Sequence, residues 1–283
     1  MQPPRLLDRL SDVADRFDAL LCDAWGVIHN GVTLFDGVDE ALTEFRKRRG
    51  PVVILTNAPR PSAIIPAQLD RIGLSRAAYD AVVTSGDVTR AAIERFLPAS
   101  AFRLGPGKDE TLYEGIDIAF EPIERAGFIV CTGLVDDARE TPDDYADLFR
   151  IAAARKIPMV CANPDIVVRW GDRLIYCAGA LAEAFEKLGG KVVYGGKPHP
   201  PIYDFACEKL DALAGRRFDR RRILAIGDGV RTDIAGANGN GFPAFFVAGG
   251  GGVHEGAADE RSIADALARA GVFAEFAAAG LKW

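Results

Sequence analysis

Residues 20–31, "LLCDAWGVIHNG", decide how the rest of the chain is read. An apolar run stops at an acidic residue, Asp23, and Gly26 follows three positions later, where the backbone can turn without a side chain in the way. A buried strand of a parallel sheet reads in this way, as a short continuous apolar run delivering one polar group at its end. Working outward, the pattern recurs in "PVVILTN" (51–57), "AVVTSG" (81–86), "FIVCTG" (128–133), "IPMVCAN" (157–163), "KVVYGG" (191–196), "RRILAIGDG" (221–229) and "PAFFVAGG" (243–250). Amphipathic stretches such as "GVDEALTEFRKRRG" (37–50) and "RPSAIIPAQLDRIGL" (60–74) lie between them. Alternation of this kind predicts an α/β fold, a doubly wound, Rossmann-like parallel sheet covered by helices on both faces. Residues 103–128 carry several Gly and Pro and little helix signal, which separates a first strand–helix series from a second. We expect a core built from 1–87 and 191–283, with an α/β unit inserted at 88–190. The tail from Arg261 is Ala-rich and reads as helical until Gly280.

With 283 residues and a net charge of −6, the chain is long enough for two domains and lacks the surplus of Lys and Arg that phosphate neutralisation by a nucleic-acid binder needs. The basic runs Arg46–Arg49 and Arg216–Arg222 read as favourable charges at helix C-termini. No apolar run approaches the ~20 residues that span a bilayer, and the N-terminal stretch is too charged for a secretory leader. Five cysteines, none in a C-x-x-C pair, fit a reducing cytoplasm.

Four short stretches carry polar groups to places where chemistry can be done. Asp23 sits at a strand end. Thr56 and Asn57 end another strand with a hydroxyl and N–H groups suited to phosphate oxygens. "GGKPHP" places Lys197 in a turn fixed by Pro198, with Gly195 and Gly196 allowing close approach. In "ILAIGDGVRTD", Asp228 ends a strand and Asp233 follows five residues later, a spacing suited to a hard cation. The glycine run at 249–252, followed by His254, lacks the Gly-Lys-Ser/Thr of a P-loop and reads as a connection.

Together with "VVTSGDVT", "CANPD" and "CAGALAEAFEKLGG", these stretches resemble the haloacid dehalogenase (HAD) superfamily, and within it subclass IIA, the NagD-like and para-nitrophenyl phosphatase group. The likeness runs from about residue 20 to 250, in the family's order. It implies a Mg²⁺-dependent phosphoester hydrolase in which Asp23 attacks phosphorus, and in which the inserted unit is a cap over the core. By the same resemblance Asp23, the backbone carbonyl of Trp25 and Asp228 hold Mg²⁺, with Asp233 behind them. Thr56 and Asn57 bind the phosphoryl oxygens, and Lys197 neutralises them and steadies Asp23. Substrate choice would lie in the cap loop 161–181, with Asn163, Asp165 and Gly179 as specificity positions and Arg169, Trp170 and Tyr176 as possible contacts. The implied partner is a small phosphorylated metabolite, and relatives with this cap often form homodimers.

The chain departs from the pattern at Trp25, where HAD phosphatases usually carry a second Asp that protonates the leaving group and then activates water. An indole N–H donates a hydrogen bond but cannot shuttle protons. General acid–base catalysis is typically worth ~10²–10⁴ in rate. Three readings therefore stand side by side: a phosphatase with a substitute such as His29 or with easily expelled leaving groups, a hydrolase acting at carbon, and a phospho-ligand binder without catalysis.

Overall fold

The computed structural model describes residues 3–170, 173–249 and 258–283, apart from the side chain of Trp170. The expectations placed on the Trp170 side chain, on most of the glycine run and on His254 lie outside the described residues. The strands, in chain order, are β1 (Arg5–Leu6), β2 (Ala19–Cys22), β3 (Val52–Thr56), β4 (Ala81–Thr84), β5 (Ala101–Leu104), β6 (Phe128–Cys131), β7 (Met159–Cys161), β8 (Val167–Trp170), β9 (Arg173–Tyr176), β10 (Val192–Tyr194), β11 (Ile223–Gly227), β12 (Ala244–Val247) and β13 (Phe276–Ala278). The α-helices are α1 (Val38–Arg48), α2 (Ile65–Ile72), α3 (Ser85–Glu94), α4 (Ala146–Ala154), α5 (Ala178–Lys187), α6 (Pro200–Ala214), α7 (Ala235–Asn240) and α8 (Glu260–Ala270).

Seven strands form one parallel sheet in the order β1-β13-β12-β11-β2-β3-β4. Side chains alternate between its faces, as the two-residue period of a strand requires. Leu20 and Cys22 of β2 pack into one apolar cluster with Phe45 and Phe245, while Leu21 packs into the other with Tyr203 and Phe246. Two buried faces explain why β2, β3 and β11 read as unbroken apolar runs. A second parallel sheet, β10-β7-β6-β5, draws its strands from between Ala101 and Tyr194 and has its own apolar clusters. From it projects the antiparallel hairpin β8–β9.

The order of the large sheet is what assembles the site. β2 lies between β11 and β3, with Cys22 in register with Ile226 on one side and Ile54 on the other. One residue beyond Cys22, the Asp23 N–H still donates to Ile226 O at 2.9 Å. The three strands are thus level at their carboxyl ends. Asp23, Thr56 and Asp228 leave the sheet side by side, at the edge where ligands bind in open α/β sheets.

Two expectations need correction. The tail is helical only to Ala270; Gly271, at φ 67°, ends α8, and Phe276–Ala278 then forms β13 between β1 and β12. Sheet pairing there overrides the helix propensity of its alanines. Arg46–Arg48 do close α1, but Arg216 and Arg217 follow the left-handed Gly215 and Arg220–Arg222 form a 3₁₀ turn, where Arg220 pairs with Asp204, Arg221 with Asp219 and Arg222 with Asp18. Among the described residues no helix is long and apolar enough to cross a membrane. All five cysteines are free, and four are buried.

Candidate active site

Asp23 is buried, and its carboxylate accepts a hydrogen bond from Lys197 Nζ at 2.6 Å. The same ammonium donates to Asp233 at 2.7 Å and to Leu55 O at 3.0 Å, so its three donors are used. Burial alone would push Lys197 down, but Asp23, Asp233 and Asp165 more than reverse that and hold it well above its ordinary value. Burial raises the carboxyl of Asp23 and that of Asp233, and Lys197 opposes the rise at both. The Asp233 carboxylate also accepts from the N–H of Gly229 at 3.0 Å, an arrangement made by the π-helical turn Val230–Ile234 that follows Asp228. A Cβ on Gly227 would run into Asp233 and one on Gly26 into Asp228, so both glycines are required by close approach. Asp23, Asp228 and Asp233 offer carboxylate oxygens that all lie within 4.8 Å of one another. An all-oxygen acidic cluster of this kind suits a hard divalent cation.

Asn57 is the polar link between core and cap. Its side-chain oxygen accepts from the Lys197 N–H at 2.8 Å, while its amide donates to Lys197 O at 3.2 Å and to Asp165 Oδ1 at 2.9 Å. Asn163 supports that arrangement by accepting from the Asp165 N–H at 3.0 Å. Gly179 opens α5 against the backbone of Pro164 and Asp165, a crossing inside the cap; the tight approach of core to cap is at Gly196, which faces Asn57, Pro164 and Ser85. Further ties across the boundary include Ser85 Oγ to Ala162 O at 2.6 Å, Arg231 to Glu183 at 2.7 Å and Arg60 to Asp109 at 3.7 Å. The "TSGDV" stretch is structural: Thr84 and Asp87 form a reciprocal capping box at the start of α3.

Trp25 does something sequence reasoning did not anticipate. Its indole N–H donates to the carbonyl of Arg169, on the cap hairpin, at 2.9 Å. Its ring lies edge-on to His29 and against Gly31, where a side chain would collide with it. No sequence signal links residues 144 apart in this way. His29 is an unsuitable shuttle, because its Nδ1 accepts from the Gly31 N–H at 2.9 Å and burial depresses the ring to about 4. Tyr176 is exposed.

A cleft of about 800 Å³ runs between core and cap, lined on one side by Asp228 and Arg231 and on the other by Asp165, Val167, Leu174 and Tyr194. Trp25, His29, Thr56 and Arg60 line a second, smaller cleft of about 310 Å³. The first has the volume of a small-molecule site.

Two family descriptions match the chain, "haloacid dehalogenase-like hydrolase" over residues 20–119 and "HAD-hydrolase-like" over 194–272. The crystal structure of a haloacid dehalogenase-like hydrolase from Brucella suis superposes with a TM-score of 0.88 at 40% identity, covering 97% of this chain and 99% of that one. Among proteins of known activity, D-glycerol 3-phosphate phosphatase of Mycobacterium tuberculosis is 27% identical over 241 residues, 84% of this chain and 65% of that enzyme. Ribonucleotide monophosphatase NagD of Escherichia coli K12 is 26% identical over 222 residues, 76% and 81% of the two chains. The chain belongs to the haloacid dehalogenase-like hydrolases, and within them to the NagD-like subclass IIA.

Proposed function

We propose that this chain is a phosphatase of small phosphorylated metabolites that works through an aspartyl-phosphate on Asp23 and depends on Mg²⁺. The observation that carries the reading is the buried group of Asp23, Asp228 and Asp233, in which Lys197 bridges Asp23 and Asp233. A non-catalytic binder of phosphate would have no use for three buried carboxylates, which repel its ligand. Chemistry at carbon does not call for a cation cluster. The relatives whose names specify D-glycerol 3-phosphate and ribonucleotide monophosphates as substrates support the substrate class.

The donor set fits the cation. Asp23 and Asp228 would hold it directly with the Trp25 carbonyl, while Asp233, engaged with both Lys197 and Gly229, fits a place one step behind. When bound, Mg²⁺ supplies positive charge that shields the nucleophile from the phosphate dianion and stabilises charge in the transition state. Asp23 then forms a bond to phosphorus as the ester oxygen departs, and water later releases phosphate from the aspartyl group. Thr56 and the N–H of Asn57 orient the phosphoryl oxygens, and Lys197 holds Asp23 in line.

The test is hydrolysis of 4-nitrophenyl phosphate with and without Mg²⁺ by the wild-type protein and by Asp23→Asn. We expect turnover that needs the metal and falls by at least ~10³ in the variant, since the nucleophile itself is removed. Turnover that survives Asp23→Asn refutes the aspartyl-phosphate route.

A further inference from the structure

With an indole at position 25, the hydrolysis proposed above lacks a group to protonate the departing alkoxide. The described residues lining the cleft offer few replacements. Glu183 is held by Arg231 at 2.7 Å, and His199 lies flat on Tyr194 with ring centres 4.4 Å apart. His29 lines the other cleft and has its Nδ1 occupied. Asp165 differs from all three. It lines the main cleft together with Asp228, its charge is felt at Asp23 and at Lys197, and it feels that of Asp233 in turn.

We propose that Asp165, delivered from the cap, is the acid–base residue of this site, replacing the carboxylate that position 25 lacks. The inference rests on the phosphatase reading and deepens it. Asn57 holds Oδ1 of Asp165 at 2.9 Å, which fixes the carboxyl group with respect to the loop that carries Lys197. Burial raises the Asp165 carboxyl, with Lys197 and Asn57 opposing, the direction that favours the protonated form a general acid needs. In the first half-reaction Asp23 bonds to phosphorus and the P–O ester bond breaks. The electron pair of that bond stays on the ester oxygen, and the Asp165 proton moves to it, releasing an alcohol. In the second half-reaction the Asp165 carboxylate takes a proton from water as the water oxygen attacks phosphorus. The bond to Asp23 breaks, phosphate leaves, and both carboxyl groups return to their starting states. Because Asp165 belongs to the cap, the acid is present only when the cap is closed.

The experiment compares kcat/KM for 4-nitrophenyl phosphate and phenyl phosphate, in the wild type and in Asp165→Asn. The two esters have nearly the same shape but differ in how much their leaving group needs a proton. Asparagine keeps the oxygen that Asn57 binds and loses the transferable proton. A ratio of two rates from one preparation is also independent of how much of the variant is folded. We expect the loss to be at least about tenfold larger for phenyl phosphate, within the ~10²–10⁴ that general acid–base catalysis supplies. Equal losses for the two esters, or no loss, would overturn the assignment, and an equal loss would reduce Asp165 to a cap-positioning residue. Asp23→Asn measured alongside separates the two levels. If it is inactive while Asp165→Asn shows equal losses, this inference alone fails. Absence of wild-type turnover, or turnover that survives Asp23→Asn, would overturn the phosphatase reading and this inference with it.

Discussion

Replacing Lys197 by methionine removes one charge from the centre of the site while keeping most of its volume. The ammonium is 3% exposed and lies 2.6 Å and 2.7 Å from two carboxylates that are themselves buried. At an effective dielectric constant of 20 each contact is worth roughly 6 kcal/mol. Against this stands the desolvation of the ammonium, several kcal/mol, which the variant no longer has to meet. The two carboxylates can also escape part of the strain by taking up a proton, at about 1.4 kcal/mol for each pH unit. The net expectation is a loss of about 3–5 kcal/mol, the usual result of removing one partner from a buried pair. At ~2–4 °C per kcal/mol for a chain approaching this size, that lowers the melting temperature by roughly 10 °C. The sign of the pH effect follows from the same carboxylates. Without Lys197 their folded pKa values rise further above the unfolded ones, so the folded variant binds extra protons and loses stability as pH rises. Thermal melts of wild type and Lys197→Met at pH 5 and pH 8, monitored by circular dichroism, test both points. A variant that melts within 2 °C of wild type at pH 8 (about 1 kcal/mol or less) refutes the claim that the ammonium holds the carboxylates together.

Three further outcomes are expected. Gly196→Ala puts a methyl group against Asn57, 2.7 Å from Pro164 Cδ and 2.8 Å from Ser85 Oγ; it should cost about 1–3 kcal/mol and raise KM by holding the cap off the core. Gly239→Ala, in the open on α7, should instead gain up to ~1 kcal/mol, and equal melting shifts for the two variants would show that the packing at Gly196 is not tight. His29, depressed by burial from 6.5 to about 4, makes the folded state bind fewer protons than the unfolded one below pH 6.5. Stability should therefore fall by up to about 3 kcal/mol more in wild type than in His29→Asn as the pH drops from 6.5 to 4, and parallel denaturant titrations of the two would exclude it.

Much of the core was legible because a fully buried strand leaves an unambiguous mark. The runs ending at Asp23, Thr56 and Asp228 can be placed at one sheet edge from the sequence, since strand ends in a parallel sheet share a direction. The strand β13 was hidden, because "FAA" among alanines carries no period of its own and is fixed only by pairing with β1 and β12. The cross-boundary contacts were hidden for a different reason. The Trp25–Arg169, Asn57–Asp165 and Arg231–Glu183 contacts join residues 144, 108 and 48 positions apart, and no local pattern encodes such a pairing. The second bond of Lys197, to Asp233, was hidden in the same way, since the two residues lie 36 positions apart.

The indole of Trp25 also bears on which side chains position 25 can accept. An aspartate at position 25 would be too short to fill the space against Gly31 and would turn an acceptor toward the Arg169 carbonyl, where a donor now sits. Leaving that carbonyl without its partner costs about 1–3 kcal/mol. An aspartate at this position would therefore carry a stability cost whatever it did for catalysis. The hairpin, the glycine at 31 and the indole are one packed unit, so any exchange at position 25 is felt in the cap as well as in the loop that carries Asp23.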